Sequence, residues 1–307
     1  MPSFPKRTDF TSPTVFSVYT ATDLTAEAVE SMGIRLGVIG NPIAHSKSPQ
    51  MQQAALAACG VSATYVRLLS DTAPGAFETM LHKLAELGFI GCNVTVPFKK
   101  QAFAAAVQAD ALSTLCGAAN TLVRRDDGWH CYNTDGPGFE QAIFELSGKK
   151  LSELSIVILG ACGGAGSALA AQCALSNCPR LTLINRPRPQ LAELAHKLEA
   201  HTNAHSHTAA FDTPEAAEAI RTADLIVNAT SLGLHTGDPL PLSPELLHAG
   251  QIVYDIVTHD TPLRRAAAAH GCLTDNGLGM LLWQGAFAFK HWFGILPPIE
   301  EMRQGLS

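Results

Sequence analysis

"SIVILGACGGAGSALAAQ", Ser155 to Gln172, places an apolar strand, a glycine-rich turn and an alanine-rich helix in direct succession. Glycines at Gly160, Gly163, Gly164 and Gly166 let a diphosphate approach the backbone. The helix that follows offers unpaired N–H groups and about half a positive charge at its first turn. The strict GxGxxG spacing is absent, because the third position from Gly160 is Cys162. On its own the stretch therefore admits two readings, a dinucleotide site or a purely structural turn. The next strand, "LTLINRPRP", bears on the choice. A chain that binds NAD usually ends this strand in an acid that holds the ribose 2′-hydroxyl. Here it ends in Asn185, followed by Arg186 and Arg188. Forked guanidiniums grip a 2′-phosphate that an acid would repel. The residues favour NADP, with NAD still open and two solvated arginines as the plainer alternative.

Outward from this stretch, strand and helix signals alternate in two series. After it come "PQLAELAHKLEAH", "ADLIVNAT", "GQIVYDIV", "TPLRRAAAAHG" and the apolar helix "GMLLWQGAFAFKHWFG". Before it come "RLGVIG", "SPQMQQAALAACG", "ATYVRLL", "GAFETMLHKLAELG" and "IGCNVTVP", a strand ending at Pro97. "FKKQAFAAAVQADAL" reads as one helix and "AANTLVRRDDGWHCYNT" as a hairpin turning at Asp127-Gly128. In "HSKSPQ", Ser48 is expected as N-cap, Pro49 as first helical residue and Gly60 as the C′ stop. The pattern changes near Asp135, where "GPGFEQAIFELSG" bridges the two series. The expected fold is α/β, with parallel sheets wrapped by helices.

The 307 residues suffice for two domains, and a hydrophobic fraction of 47% against 16% charged supplies both cores. A net charge of −6 without like-charge runs excludes nucleic acid as the natural partner. No apolar run reaches the roughly 20 residues of a spanning helix. Residues 1–33 read as an extension ahead of the first core strand, frayed and without a signal-peptide pattern. The eight cysteines are scattered without a CxxC pair and read as reduced, mostly buried thiols of a cytoplasmic protein. "HTNAHSH" reads as a polar loop, and no metal site is expected.

The reactive groups lie in the first half. Asn93 and Thr95 alternate on one strand, Lys99 follows Pro97, and Asn120, Thr121, Asn133, Thr134 and Asp135 stand at ends of apolar segments. In an open α/β sheet, ligands gather at such ends. Lys99 is a candidate to pass a proton to a carbonyl oxygen that receives a hydride, with Asp135 beside it. Taken singly, each has a plainer reading: a surface lysine and a turn aspartate.

The ordered set "GNPIAHSKSP", "NVTVPFKK", "GAANT", "NTDGPG", "NATSLGL" and "GLGMLLWQGA" resembles the shikimate dehydrogenase family from about Gly37 to the end of the chain. The resemblance implies reversible NADPH-dependent reduction of 3-dehydroshikimate to shikimate. It implies a substrate domain over 34–135 and 277–307 and a Rossmann-like NADP domain over 136–276, the last helices returning to the first domain. By motif, Ser46 and Ser48 would bind the substrate carboxylate, and Thr95, Asn120 and Gln284 its hydroxyls or carboxylate. Lys99 and Asp135 match the catalytic pair, and Thr230 and Gly277 match positions that line the cofactor. The glycine turn carries one residue more than the family's usual turn, and Pro187 replaces a phosphate-binding hydroxyl. Cys131 replaces a common glycine, and Thr258 stands where the family has a substrate-binding tyrosine. The alternatives are a quinate or related cyclic hydroxy-acid dehydrogenase using NAD or NADP, and a non-catalytic sensing module of the same fold. The present Lys99 and Asp135 argue against the second. A monomer or homodimer is expected.

Overall fold

The computed structural model describes residues 17–202 and 205–306. The chain forms two compact units, one of residues 17–134 with 284–306 and the other Asp135–Trp283.

The first unit is built on β1 (Val18–Tyr19), α1 (Ala26–Met32), β2 (Ile34–Gly40), α2 (Ser48–Ala58), β3 (Thr64–Leu69), α3 (Ala76–Glu86) and β4 (Gly91–Val94). It continues through α4 (Lys99–Ala104), β5 (Gln108–Ala109), α5 (Ala111–Cys116), β6 (Thr121–Arg125) and β7 (Gly128–Tyr132). Its sheet runs β1-β3-β2-β4-β6-β7-β5. The β1, β3, β2 and β4 neighbours are parallel, and the β6–β7 hairpin joins β4 antiparallel. Parallel strands buried on both faces need near-continuous apolar runs, which "GVIG" and "TYVRLL" approach.

The second unit holds α6 (Asp135–Ser147), β8 (Ser155–Leu159), α7 (Gly164–Leu175), β9 (Arg180–Asn185), α8 (Pro189–His201) and β10 (Ser206–Ala210). It continues with α9 (Pro214–Thr222), β11 (Leu225–Asn228), β12 (Ile252–Asp255), α10 (Pro262–Ala269) and β13 (Leu273–Asp275). Its sheet is parallel throughout, in the order β10-β9-β8-β11-β12-β13. The chain winds outward from β8 and then resumes on its other side at β11, so the switch point lies between those strands. Ligands of doubly wound sheets bind there. Helix α11 (Leu278–Phe293) starts in this unit, and α12 (Ile299–Gln304) follows in the first. The returning residues are anchored in the first unit: Trp292 Nε1 donates to Leu122 O at 3.0 Å, and Gln52 Nε2 donates to Gly285 O at 2.9 Å.

Several expectations need correction. Residues 18–32 are not frayed: β1 pairs with β3, and Leu24 and Val29 enter the core at 1% exposure. The earlier residues of the expected extension lie outside the described residues. The single helix expected from Phe98 to Leu112 breaks into α4, β5 and α5. Val107 N and Asp110 N donate to Trp129 O and Cys131 O, so pairing with β7 overrides the helical propensity of the alanines. The Asp110 side chain then caps α5 by accepting from Ser113 N. Strand β4 closes at Val94 rather than at Pro97. The hairpin turns at Asp126-Asp127, between the paired Arg125 and Gly128, one residue before the expected position. Within "HTNAHSH", Ser206 and His207 open β10, whose polar, half-exposed edge lacks an apolar signature, and Asn203 and Ala204 lie outside the described residues.

Candidate active site

The first unit gathers polar side chains around the C-terminal ends of β2 and β4 and the hairpin start. Ser46 and Ser48 flank Lys47 in the turn that opens α2. Ser48 is the first helical residue rather than the N-cap, and Lys47 at the cap makes no side-chain capping bond. The expected capping is done by Ser46, whose Oγ accepts from Ser48 N at 3.3 Å. Pro49, expected as the first helical residue, is the second, still in the first turn where a missing N–H loses no bond, and Gly60 ends the helix with φ +66°. Ser48 is buried and Ser46 half-buried.

Lys99 is the first residue of α4 and partly buried, and its carbonyl accepts from Ala119 N at 2.9 Å. That bond ties the start of α4 to the segment that carries Asn120. Thr95 continues the ladder past β4, donating its N–H to Ile39 O at 2.8 Å.

Beneath these groups runs a buried amide–hydroxyl network. Asn120 Nδ2 donates to Thr134 Oγ1 at 3.0 Å and to Gln284 Oε1 at 3.3 Å. Asn120 Oδ1 accepts from Thr134 N at 2.7 Å. Asn93 Nδ2 donates to Asn120 O and Thr121 Oγ1, which fixes its amide orientation and leaves Oδ1 to accept from the Tyr65 hydroxyl at 2.7 Å. Burial pushes the Tyr65 hydroxyl well above its ordinary pKa, so it serves as a neutral donor. Satisfied networks of this kind hold side chains rigidly in low dielectric. The structure thus brings Asn120 and Gln284 together. Tyr65 and Arg67 went unnoticed in the sequence. Their signal is two polar-tipped residues, two apart, in the otherwise apolar strand "TYVRLL".

In the second unit Asp135 is the first residue of α6 and is 5% exposed, where the helix N-terminus favours a carboxylate. It directly follows Thr134 in the chain, so the network of the first unit ends one residue before it.

The glycine turn is a backbone construction. Gly160 has φ +81°, and a Cβ there would meet Ala229 O and Thr230 N at 2.9 Å. A Cβ on Gly166 would lie 2.3 Å from Gly160 O. Strand β8, the tip of β11 and α7 thus meet at a distance only glycines allow, at the switch point of the sheet. Gly163 N donates to Gly160 O at 3.0 Å, and α7 begins at Gly164. Asn185 is buried at the end of β9 with its Nδ2 on Arg186 O, while Arg186 and Arg188 are exposed. Thr230 commits its hydroxyl to Asn228 Oδ1 at 2.7 Å. Gly277 packs on the chain after β12, where a Cβ would stand 2.0 Å from Ile256 O. The turn suits a phosphate group on backbone N–H donors, and the two arginines after β9 suit a second one.

Family models match in two places: the shikimate dehydrogenase substrate binding domain over residues 38–122 and the shikimate 5′-dehydrogenase C-terminal domain over 277–305. A protein of Symbiobacterium thermophilum named shikimate dehydrogenase (NADP(+)) is 39% identical over 273 residues, covering 87% of this chain and 92% of the relative. The Thermus thermophilus shikimate 5-dehydrogenase structure, in complex with NADP(H) and shikimate, superposes with a TM-score of 0.78 at 32% identity, covering 89% of this chain and 98% of that one. A Corynebacterium glutamicum quinate dehydrogenase in complex with NAD superposes with a TM-score of 0.79 at 29% identity, covering 89% and 98%.

Proposed function

The chain belongs to the shikimate dehydrogenase family, and from that premise we propose that it catalyses the reversible, NADP-dependent reduction of 3-dehydroshikimate to shikimate. The observation that carries the reading is the first unit's network. Asn120 and Gln284, 164 residues apart, meet in one buried hydrogen-bonded group beside a serine-rich helix start. A polyhydroxylated acid needs such a set of neutral donors and acceptors next to an anion site.

We assign the unit of residues 17–134 and 284–306 to the substrate and Asp135–Trp283 to the cofactor. Ser46 and Ser48 hold the carboxylate. Thr95, Asn120 and Gln284 hold the ring hydroxyls. The glycine turn Gly160, Gly163, Gly164 and Gly166 would take the diphosphate, and Asn185, Arg186 and Arg188 the 2′-phosphate. Thr230 and Gly277 would line the remainder. The close approaches at Gly160 and Gly166 fit this cofactor, since they let β8, the tip of β11 and α7 pack closely enough to hold the α7 N-terminus at the turn, where its N–H groups would meet a diphosphate. Bound there, NADPH would supply the hydride that the carbonyl carbon receives. Lys99 gives a proton to the carbonyl oxygen as that carbon becomes tetrahedral, and takes it back in the reverse direction. Asp135 is assigned as the second member of the catalytic pair, as the family motif implies. All eight cysteines are free thiols, which supports a reducing compartment such as the cytoplasm.

Initial rates at 340 nm with shikimate and quinate, each crossed with NADP and NAD, test the reading. Shikimate with NADP is expected to give the highest kcat/KM. A higher value for quinate with NAD would move the chain to the alternative.

A further inference from the structure

A buried cation lies under the serine turn. Arg67 sits on β3 at 5% exposure, two residues after Tyr65 and on the same face of the strand. Its Nε and Nη2 both donate to Ser46 O, at 3.0 and 2.6 Å, and Nη2 also donates to Gln50 Oε1 at 3.2 Å. Burying a guanidinium is costly, and two charged donors on one carbonyl are far more than a surface turn needs to stay folded.

The orientation of one peptide explains the arrangement. The Ser46–Lys47 bond is trans, so its C=O and N–H point in opposite directions. With the carbonyl held inward by Arg67, the Lys47 N–H is turned away from β3, and it has no partner among the described residues. Ser46 Oγ already accepts from Ser48 N, which leaves its own proton for another acceptor. The helix start is otherwise loosely made, with Met51 N at 3.4 Å from Lys47 O and no side-chain cap on Lys47.

We propose that Arg67 is a positioning residue for substrate binding: by pinning the Ser46 carbonyl, it aims the Lys47 backbone N–H alongside the Ser46 and Ser48 hydroxyls as a donor to the substrate carboxylate. The inference rests on the reading of that turn as the carboxylate site. Arg67 does not touch the substrate itself. A lysine reaches with a single point charge and cannot hold Ser46 O by two donors and Gln50 at once.

The test compares shikimate with its uncharged methyl ester, used as substrate and as competitive inhibitor, in wild type, Arg67→Met, Arg67→Lys, Ser46→Ala and Ser48→Ala. Arg67→Met is expected to raise KM for shikimate about tenfold, the scale of one hydrogen bond to a charged group, and to leave kcat within about twofold. Values for the ester should move by less than about twofold, because it presents no anion to the turn. Arg67→Lys should fall between wild type and Arg67→Met with an unchanged melting temperature, and it decides the matter even if Arg67→Met does not fold. Equal losses on acid and ester would mean that Arg67 is only structural, and would overturn the proposal. An unchanged shikimate KM in both Arg67 variants, with Ser46→Ala raising it, would also overturn the proposal while the carboxylate site stands. If Ser46→Ala and Ser48→Ala both leave that KM unchanged, the carboxylate reading has failed and the role of Arg67 falls with it.

Discussion

The sites proposed for the two units are built of opposite materials. In the first unit the proposed site is made of side chains, hydroxyls, amides and the Lys99 ammonium, with Asn120 and Gln284 meeting across 164 residues of chain. In the second it is made of backbone, brought close by glycines whose missing Cβ atoms allow the approach. A side-chain site can lose one donor and keep the rest. A backbone cradle has no single donor to delete and fails by volume. Substitutions should therefore be selective in the first unit, sparing one ligand or one kinetic constant, and unselective in the glycine turn.

The largest expected effect is Lys99→Ala. Loss of the proton donor should lower kcat by about 100-fold or more, while the NADPH dissociation constant and the melting temperature hold. Single-turnover rates with a parallel fluorescence titration of NADPH check this. Near-normal turnover would remove Lys99 from the chemistry and leave the first unit as a binding surface only.

The arginines after β9 are the exception inside the second unit, a side-chain contact proposed beside the cradle. Arg186 is exposed, so its removal should leave the fold intact. Arg186→Ala should weaken NADP by about 1.5–3 kcal/mol, the scale of a bond to a charged group, and barely move NAD. Gly166→Ala should do the reverse of selective damage. Its new Cβ meets Gly160 O at 2.3 Å and Ala161 Cα at 2.9 Å, both backbone, so the turn must open. Overpacking of this kind costs about 1–3 kcal/mol and should weaken both cofactors and lower the melting temperature together. Calorimetric titration of both dinucleotides into both variants separates the two modes. Equal losses in Arg186→Ala, or a selective loss in Gly166→Ala, would break the contrast.

The two halves also differed in how much of them the sequence revealed. Strand β8, the glycine turn, α7 and β9 were legible because apolar runs bounded by glycines leave few alternatives. Most helices of the first unit were legible for the same reason. What escaped depends on partners distant in sequence. The break between α4 and α5 comes from pairing with β7, which local propensity cannot see. Strand β1 is two residues long and exists only through β3. The meeting of Asn120 with Gln284 spans 164 residues, and only the family resemblance pointed to both. Nothing local in "TYVRLL" marks Arg67 as a cation whose partner is a carbonyl 21 positions earlier.

A smaller effect is expected at Thr258, in the half-buried segment after β12. The family resemblance places a substrate-binding tyrosine there, and a threonine hydroxyl reaches several ångströms less far. One bond to the substrate is then lost or made through water, at about 1–2 kcal/mol. Thr258→Tyr should lower KM for shikimate by roughly 5- to 30-fold at constant kcat. If the space instead serves a bulkier acid, the variant should gain on shikimate and lose on that acid, which kcat/KM for shikimate and quinate would show. A wild type that already binds shikimate tightly, with no gain from tyrosine, would mean another residue has taken the contact.

The smallest expected effect tests whether the backbone cradle tolerates change in the side chains beneath it. Asp255 is fully buried at the end of β12, accepting from Asn228 Nδ2 at 3.1 Å, Val257 N at 3.1 Å and Thr261 Oγ1 at 2.7 Å. Asn228 in turn holds Thr230 at the glycine turn. Burial raises the Asp255 pKa above its ordinary 3.8, against the opposing pull of those three bonds. A carboxyl raised on folding contributes stability that is present below pH 3.8 and lost as the pH rises through its folded value. In Asp255→Asn the amide oxygen keeps the bonds from Asn228 and Val257, and Thr261 can turn its hydroxyl to accept from the new N–H. The variant therefore lacks the pH-dependent loss. Urea unfolding from pH 4 to 7 should show the wild type falling behind Asp255→Asn as the pH rises, with the gap closing toward pH 4. Affinity for NADP should stay within about threefold of wild type, because the glycines and not the carboxylate form the cradle; that ratio is under about 0.7 kcal/mol. A variant less stable than wild type at pH 7, with weaker cofactor binding, would show that the charge itself braces the loop. The second unit would then depend on a side chain as much as the first does.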